Sequence, residues 1–545
     1  MNTKANIIWI VVDCVRNYKS GLDDRDKLDS MIDLETEFVS FNNMMVSAPS
    51  SIMSAVNFLT GIPSYYLAGN YSQFQFDRSN YWSINDILKH YGYRNYSVLN
   101  ARECRTMLTD LLDPVDKKYH TKAVRPTMMR WPNREVTDTF LNLLDAKPAD
   151  PAFHFLWYNT RLDPNMSDEI HRLVGELKER RLYDDSIVIL TADHGYPDRS
   201  RGLVSDGWDL WKAGLRHDII LTNDNINVPF LIKYPGSVPK SVETLVSTED
   251  IVPTILDILG LEVPYKKKLE FFGSSLLPLI AGEDVEFFAN RIIRSDARFA
   301  LQKNRNTSLQ RRNMHLIVRH HDLEVELYDT SEDPGEVHNV ADDPKYSEEK
   351  QELLNYFLGE NQRILALQKE AAAQKLRSSF KSLRLSGRSA YVMVYNDSYL
   401  YQTVVECLKT LLPDLEIHLV VISETAPRGC EVNEFLTSVI VADDVQNQQT
   451  PKTMDFAFEV VDDPVASEFR ENYEFFKRYR GKNRHRISWN GDVDLVNNWL
   501  WNSPNSVHYR SIAKKIWDRV KLGVHEPKYF WDELVRVSKK IKKKG

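Results

Sequence analysis

No run of apolar residues in this chain approaches the roughly 18 that a membrane-spanning helix needs, so no integral membrane segment is expected. Cysteine is scarce and scattered: Cys14, Cys104, Cys407 and Cys430 form no CxxC pair and no framework of the kind that staples small secreted domains. That usage fits a reducing compartment. Positive charge is also lacking overall. A formal net charge of −7 draws nothing toward nucleic acid, and it leaves an anionic substrate dependent on local cations. The first apolar stretch, Ala5 to Val12, stops at Asp13 and has no small-residue cleavage site, so it reads as a buried strand rather than a leader. The expected location is cytoplasmic. Internal repeats are not evident.

What is present is ordinary globular composition, with 42% hydrophobic and 27% charged residues. At 545 residues the chain exceeds what one core usually serves, so a large domain and at least one smaller one are expected. Short apolar runs at Ile7 to Val12, Phe153 to Tyr158, Ile187 to Leu190 and Val228 to Ile232 read as central strands. Between them, Ser83 to Tyr91, Val136 to Leu144 and Asp168 to Arg181 have helical spacing. The alternation specifies an α/β fold, a mostly parallel central sheet sandwiched by helices.

Residues 290–345 change to strand-like pieces and a turn-rich acidic ending, ELYDTSEDPGEVHNVADDP, which suggests a small antiparallel subdomain closing a catalytic domain over 1–345. Residues 346–380, rich in Glu, Lys, Gln, Ala and Leu, read as a helical connector of one or two helices. An additional α/β region of unassigned role follows over 381–545, opening strand, helix, strand and then expected to be largely helical. The basic SKKIKKKG tail reads as a solvated terminus.

Ligand sites in such sheets collect beyond the carboxyl ends of the strands. Asp13 stands at one such end, and SIVILTADHG puts Asp193 and His194 at another, with Gly195 permitting a tight exit. One oxygen and one nitrogen donor there suit a metal ion. In APSSIMSAVNFLTG, Pro49 and Ser50 precede a helical run, and Ser51 falls near its start, where backbone N–H groups favour negative charge. The plainer reading makes Ser50 or Ser51 an N-cap. In RHDIILTNDNINVPFLIKYPG, His217 stands eleven positions before Val228, and a lone histidine there also fits a satisfied surface group.

The order of these pieces, strand-Asp, a serine helix ending in LTG, DHG, then His and VPFLI, with the ELYDTSEDPGEVHNVADDP ending, resembles the alkaline phosphatase and sulfatase superfamily over residues 5–345. The resemblance implies that Asp13, Ser51, Asp193 and His194 hold a divalent cation of undetermined identity, with Ser51 also the nucleophile. It gives His217 the place of a histidine that either binds a second metal or stands at the leaving group. Asn70, Asn159, Lys212 and Arg216 fall in or near segments that meet the anion in relatives.

Several departures from the family pattern bear on the chemistry. Ser51, ten residues before Gly61, is followed by Ile52, Met53, Ser54 and Ala55, without the Pro and Arg that accompany formylglycine conversion; a second register on Ser47 keeps Pro49 and Ser50 but also lacks the Arg. FLWYNTRLDP has Asn159, Thr160 and Arg161 where many relatives carry Asp-Pro-His, which favours one metal with Arg161 clamping an oxygen of the substrate over a two-metal site. Cys14 replaces the second Asp of a common DD pair and reads as a small packed thiol. These departures put phosphate esters first, by hydrolysis or transfer. The alternatives are a sulfatase and a non-catalytic module that binds an anionic glycan. The expected partner is a small-molecule or glycan phosphate or sulfate ester, and a homo-oligomer is compatible with the chain.

Overall fold

The computed structural model describes residues 5–17, 33–63, 65–66, 81–99, 117–120, 133–146, 151–159, 166–197, 220–267, 271–297, 306–319, 324–383, 385–395, 400–422, 434–441, 454–461, 481–488 and 493–495. The chain forms two compact units, Met1–Leu365 and Ala366–Gly545.

The first unit is built on β1 (Asn6–Asp13), β2 (Val39–Met45), β3 (Arg94–Leu99), β4 (Lys117–His120), β5 (Ala152–Asn159), β6 (Ser186–Ala192), β7 (Asn227–Lys233), β8 (Lys240–Val242) and β9 (Val246–Ser247). They form one nine-stranded sheet in the order β4-β3-β5-β1-β6-β7-β2-β8, with β9 also on β2. The pairs β1–β5, β1–β6, β3–β5 and β3–β4 are parallel. The run Val228 to Ile232 is inside the sheet, but β7 is antiparallel to both β6 and β2. A continuous apolar run such as Ile7–Val12 follows from burial on both faces of the sheet.

Register brings the functional ends together. Asp13 lies opposite Asn159, and Val12 lies opposite Ala192, so β1, β5 and β6 finish at one edge. Over the sheet packs the helix Ser51–Thr60, in which every residue from Ile52 to Thr60 is buried. Its Phe58 ring meets Trp9 at 5.4 Å and Phe155 at 6.2 Å between centroids. Fully buried aromatics of this size each contribute roughly 2–3 kcal/mol of transfer free energy, which anchors the helix against β1 and β5.

The small antiparallel sheet comprises β10 (Ile293–Ala297), β11 (Asn306–Arg311), β12 (Met314–Arg319) and β13 (Val325–Asp329). Leu309, Leu316, Val318 and Leu327 pack with Leu353 and Phe357 of a helix running Ser347–Ser382. The division between the units falls within that helix.

The second unit holds β14 (Ser389–Tyr395), the helix Tyr401–Leu411, β15 (Glu416–Ile422), β16 (Ser438–Val441), β17 (Met454–Val461), β18 (Gly481–Ser488) and β19 (Val493–Leu495). The order is β16-β15-β14-β17-β18-β19, parallel except for β19. Where a largely helical remainder was expected after β15, the described residues hold four further strands. The signal of β18 is hidden by polar residues: among its described side chains His485 and Ile487 are buried, flanking the partly exposed Arg486. Among the described residues, no helix is long and apolar enough to cross a membrane.

Candidate active site

Ser51 opens its helix after Ser50, whose backbone is extended (φ −147°, ψ 140°) and whose side chain caps nothing among the described residues. The Ser51 hydroxyl instead turns to the strand ends: Oγ is 3.2 Å from Nε2 of His194 and 3.5 Å from Oδ1 of Asp13. It is only partly buried, whereas Asp13, Asp193 and His194 are buried. The capping reading thus gives way to a hydroxyl aimed into a cluster of ionisable groups. Ser47, the other register, is fully buried, and its hydroxyl makes no hydrogen bond among the described residues.

Asp193 is fixed by the backbone. Its Oδ1 accepts the N–H groups of Cys14 and His194, each at 2.9 Å. Its Oδ2 lies 3.4 Å from Nε2 of His194 and has no hydrogen-bond partner among the described residues. Burial pushes this carboxyl above its ordinary range, against the Cys14 N–H, Ser51, the His194 N–H and Asp13, which lower it. The His194 ring donates from Nδ1 to the Gly195 carbonyl at 2.6 Å, so that in the neutral ring Nε2 carries the lone pair and faces Ser51.

Gly195 is required by close approach. A Cβ there would stand 2.2 Å from the carbonyl oxygen of Asp224, inside van der Waals contact. The close fit lets Gly195 N–H reach Asn225 O at 2.8 Å and Tyr196 N–H reach Asp224 O at 3.1 Å.

The donor set fits a cation. Asp13, Cys14 and His194 each present a ligand atom, and these atoms lie within 4.8 Å of one another. The unpartnered Oδ2 of Asp193 adds a buried carboxylate oxygen that a bound cation would satisfy. Two carboxylates and an imidazole suit a divalent ion.

Of the residues singled out in the sequence, Asp13, Ser51, Asp193 and His194 are brought together. Asn159 ends β5 opposite Asp13, but its side chain lies outside the described residues, as do Asn70, Arg161, Lys212, Arg216 and His217 entirely. Sequence reasoning missed the part played by Cys14. This residue adopts φ +66°, which turns the chain after β1 so that its N–H meets Asp193 and its thiol lies 3.5 Å from the Gly195 carbonyl. Arg16 was missed too: it stacks on Tyr196 at 3.7 Å and donates to the Tyr196 carbonyl at 2.7 Å. Neither left a signal in residue spacing.

The profile of the Sulfatase family matches residues 164–261, and that of the N-sulphoglucosamine sulphohydrolase C-terminal region matches 215–363. A Delta 4,5-hexuronate-2-O-sulfatase from Bacteroides thetaiotaomicron is 31% identical over 171 residues, 30% of this chain and 32% of that protein. An ulvan-active sulfatase from Formosa agariphila is 28% identical over 225 residues, 35% of this chain and 40% of that protein. The chain thus spans well under half the length of these relatives. The structure of a phosphonate monoester hydrolase from Silicibacter pomeroyi shares the fold, with TM-score 0.53 and 18% identity over 66% of this chain and 95% of that one. By the two profiles matched over residues 164–363, with the shared fold, the chain carries a domain of the alkaline phosphatase and sulfatase superfamily.

Proposed function

We propose that this protein hydrolyses a sulfate ester carried by a sugar or a related small molecule, with Ser51 as the attacking group and a divalent cation held by Asp13, Asp193 and His194. The observation that carries the reading is the partly exposed Ser51 hydroxyl set 3.2 Å from His194 Nε2 beside buried carboxylates. A sulfate ester as the substrate is supported by the two relatives, both named as sulfatases, which reverses the order expected from the sequence.

The oxygen of Ser51 bonds to sulfur as the bond from sulfur to the ester oxygen breaks. The hydroxyl proton leaves to a base, and the departing alcohol takes up a proton. Water then attacks the sulfur, releases sulfate and restores the hydroxyl. A bound cation supplies charge neutralisation and lowers the pKa of the hydroxyl. The His194 Nε2 lone pair cannot hold both a cation and that proton, so with His194 as ligand a different group takes the proton. Arg161 is assigned to a nonbridging oxygen, and His217 either to the leaving oxygen or to a further metal ion.

Phosphate esters are the second reading. The absence of Pro and Arg after Ser51 leaves an unmodified hydroxyl, which suits phosphoryl transfer. Metal-repleted protein assayed on paired aryl sulfate, phosphate monoester and phosphodiester substrates, with intact mass measured in parallel, decides between them. Sulfate turnover supports the proposal, and turnover confined to phosphoesters replaces it with the second reading. No turnover of any ester in metal-bound protein sinks both as general esterase readings.

A further inference from the structure

The acidic turn that closes the small sheet takes no part in the site described above, yet it is tightly built. Asp333 Oδ2 accepts the N–H groups of Val337 and His338 at 2.6 and 2.7 Å, and Asn339 Oδ1 those of Leu327 and Ala341 at 3.0 and 2.9 Å. Within it Glu336 is held at φ +53°, a left-handed conformation that costs a non-glycine residue on the order of 1–2 kcal/mol. Its side chain is fully buried.

A strained, buried carboxylate requires compensating partners, and Glu336 has them. Its Oε1 meets Nδ1 of His315 at 2.5 Å, and its Oε2 accepts the backbone N–H of Asn223 at 2.7 Å. On the far side of the ring, His315 Nε2 pairs with Ser308 Oγ at 2.7 Å. Ser308, His315 and Glu336 thus have the order of a nucleophilic triad, but all three are at most 1% exposed, so no ester reaches Ser308. The array is a support. Gln310, opposite His315 across the strands, donates to Asn223 Oδ1 at 2.6 Å, so the small sheet holds both the backbone and the side chain of Asn223.

Asn223 begins the single helical turn Asn223–Ile226, and that turn is the surface on which Gly195 is seated, through Asn225 O and Asp224 O. The Gly195 carbonyl in turn accepts the His194 Nδ1 proton. We propose that Glu336, braced by His315 and Ser308, is a positioning residue for His194: it clamps the turn 223–226, the turn sets the Gly195 peptide, and that carbonyl fixes the ring with Nε2 toward Ser51. The inference rests on the reading of His194 as a metal ligand only for its effect on cation binding. Its effect on the ring stands without a metal.

The test uses the full-length protein with ring-¹⁵N histidine, the His194 signals being identified by their loss in His194→Gln. In metal-free protein, Glu336→Gln is expected to move the His194 ring signals away from the Nδ1-protonated form, and Gln310→Met is expected to move them the same way by less. Leu353→Ala, which opens a cavity in the core of the same sheet, leaves them in place. Zinc affinity, measured by competition with a chelator, falls about 10–100-fold in Glu336→Gln, the range typical for lost outer partners of metal ligands, and stays near wild type in Leu353→Ala. If Glu336→Gln and Gln310→Met lower Tm as Leu353→Ala does but leave both the ring signals and the zinc affinity unchanged, Glu336 only stabilises the fold and the proposal is overturned. Wild-type protein that binds no zinc sinks the metal reading instead, and the ring signals alone then decide the positioning role.

Discussion

Ser51 Oγ and His194 Nε2 stand 3.2 Å apart although 143 residues separate them, because one begins a helix packed on the sheet and the other follows the neighbouring strand β6. A hydroxyl set beside an imidazole nitrogen and buried carboxylates has the surroundings that the proposed nucleophile needs. Ser51→Ala should therefore lower ester turnover by about 10³-fold or more, with Tm within a few degrees of wild type. Steady-state kinetics alongside calorimetry checks both. Retained turnover in Ser51→Ala would show that another group attacks.

Asp193 contributes differently with and without a cation. Asp193→Asn keeps an oxygen for the Cys14 and His194 N–H groups but removes a buried carboxylate whose Oδ2 lacks a hydrogen-bond partner among the described residues. Metal-free Asp193→Asn should be at least as stable as wild type, while the rise in Tm on adding a divalent cation should shrink or vanish. Thermal unfolding with and without chelator measures the two effects.

Gly195→Ala places a methyl group 2.2 Å from the Asp224 carbonyl oxygen, and both sides of that contact are backbone. Relief requires the 194–195 peptide or the turn 223–226 to move. Destabilisation of roughly 2–4 kcal/mol is expected, together with weaker cation binding. Denaturant unfolding and a metal titration test this, and a variant with wild-type values in both would mean that the loop yields without cost.

His154, in β5, is 1% exposed, stacked on Tyr96 with its edge toward Phe140, and burial lowers its pKa to about 3. The unfolded chain takes up a proton near pH 6.5 and the folded chain does not, so the stability is complete above pH 6.5 and is lost as pH falls toward 3. At pH 5 the loss amounts to roughly 2 kcal/mol. His154→Phe should flatten that acid limb: its Tm relative to wild type rises between pH 7.5 and pH 5. An equal pH dependence in the two proteins would show that His154 titrates normally.

The site was legible where chemistry follows directly on a buried strand. Asp13 and Asp193 each end an apolar run, and a run buried on both faces can belong only to the middle of a sheet. β2 was not legible. Its sequence VSFNNMM carries Asn42 and Asn43 in a strand, and these are accommodated by Ser241 and Glu243 some 200 residues away. Strand β18 was hidden in the same manner by its arginines, one of which, Arg486, is met by Glu459 on β17.

By itself the sequence determined the α/β class, the strand ends that carry Asp13, Asp193 and His194, and the family those residues belong to, because periodicity and short spacing are local properties of the chain. Only the tertiary structure decided that Ser51 faces His194 while Ser50 caps nothing among the described residues, that Cys14 turns back to hold Asp193, and that Glu336 reaches Asn223. Each of those is a contact across 110 residues or more, or a choice between adjacent serines of equal propensity, and such contacts exist only once the sheet has fixed which strand ends meet.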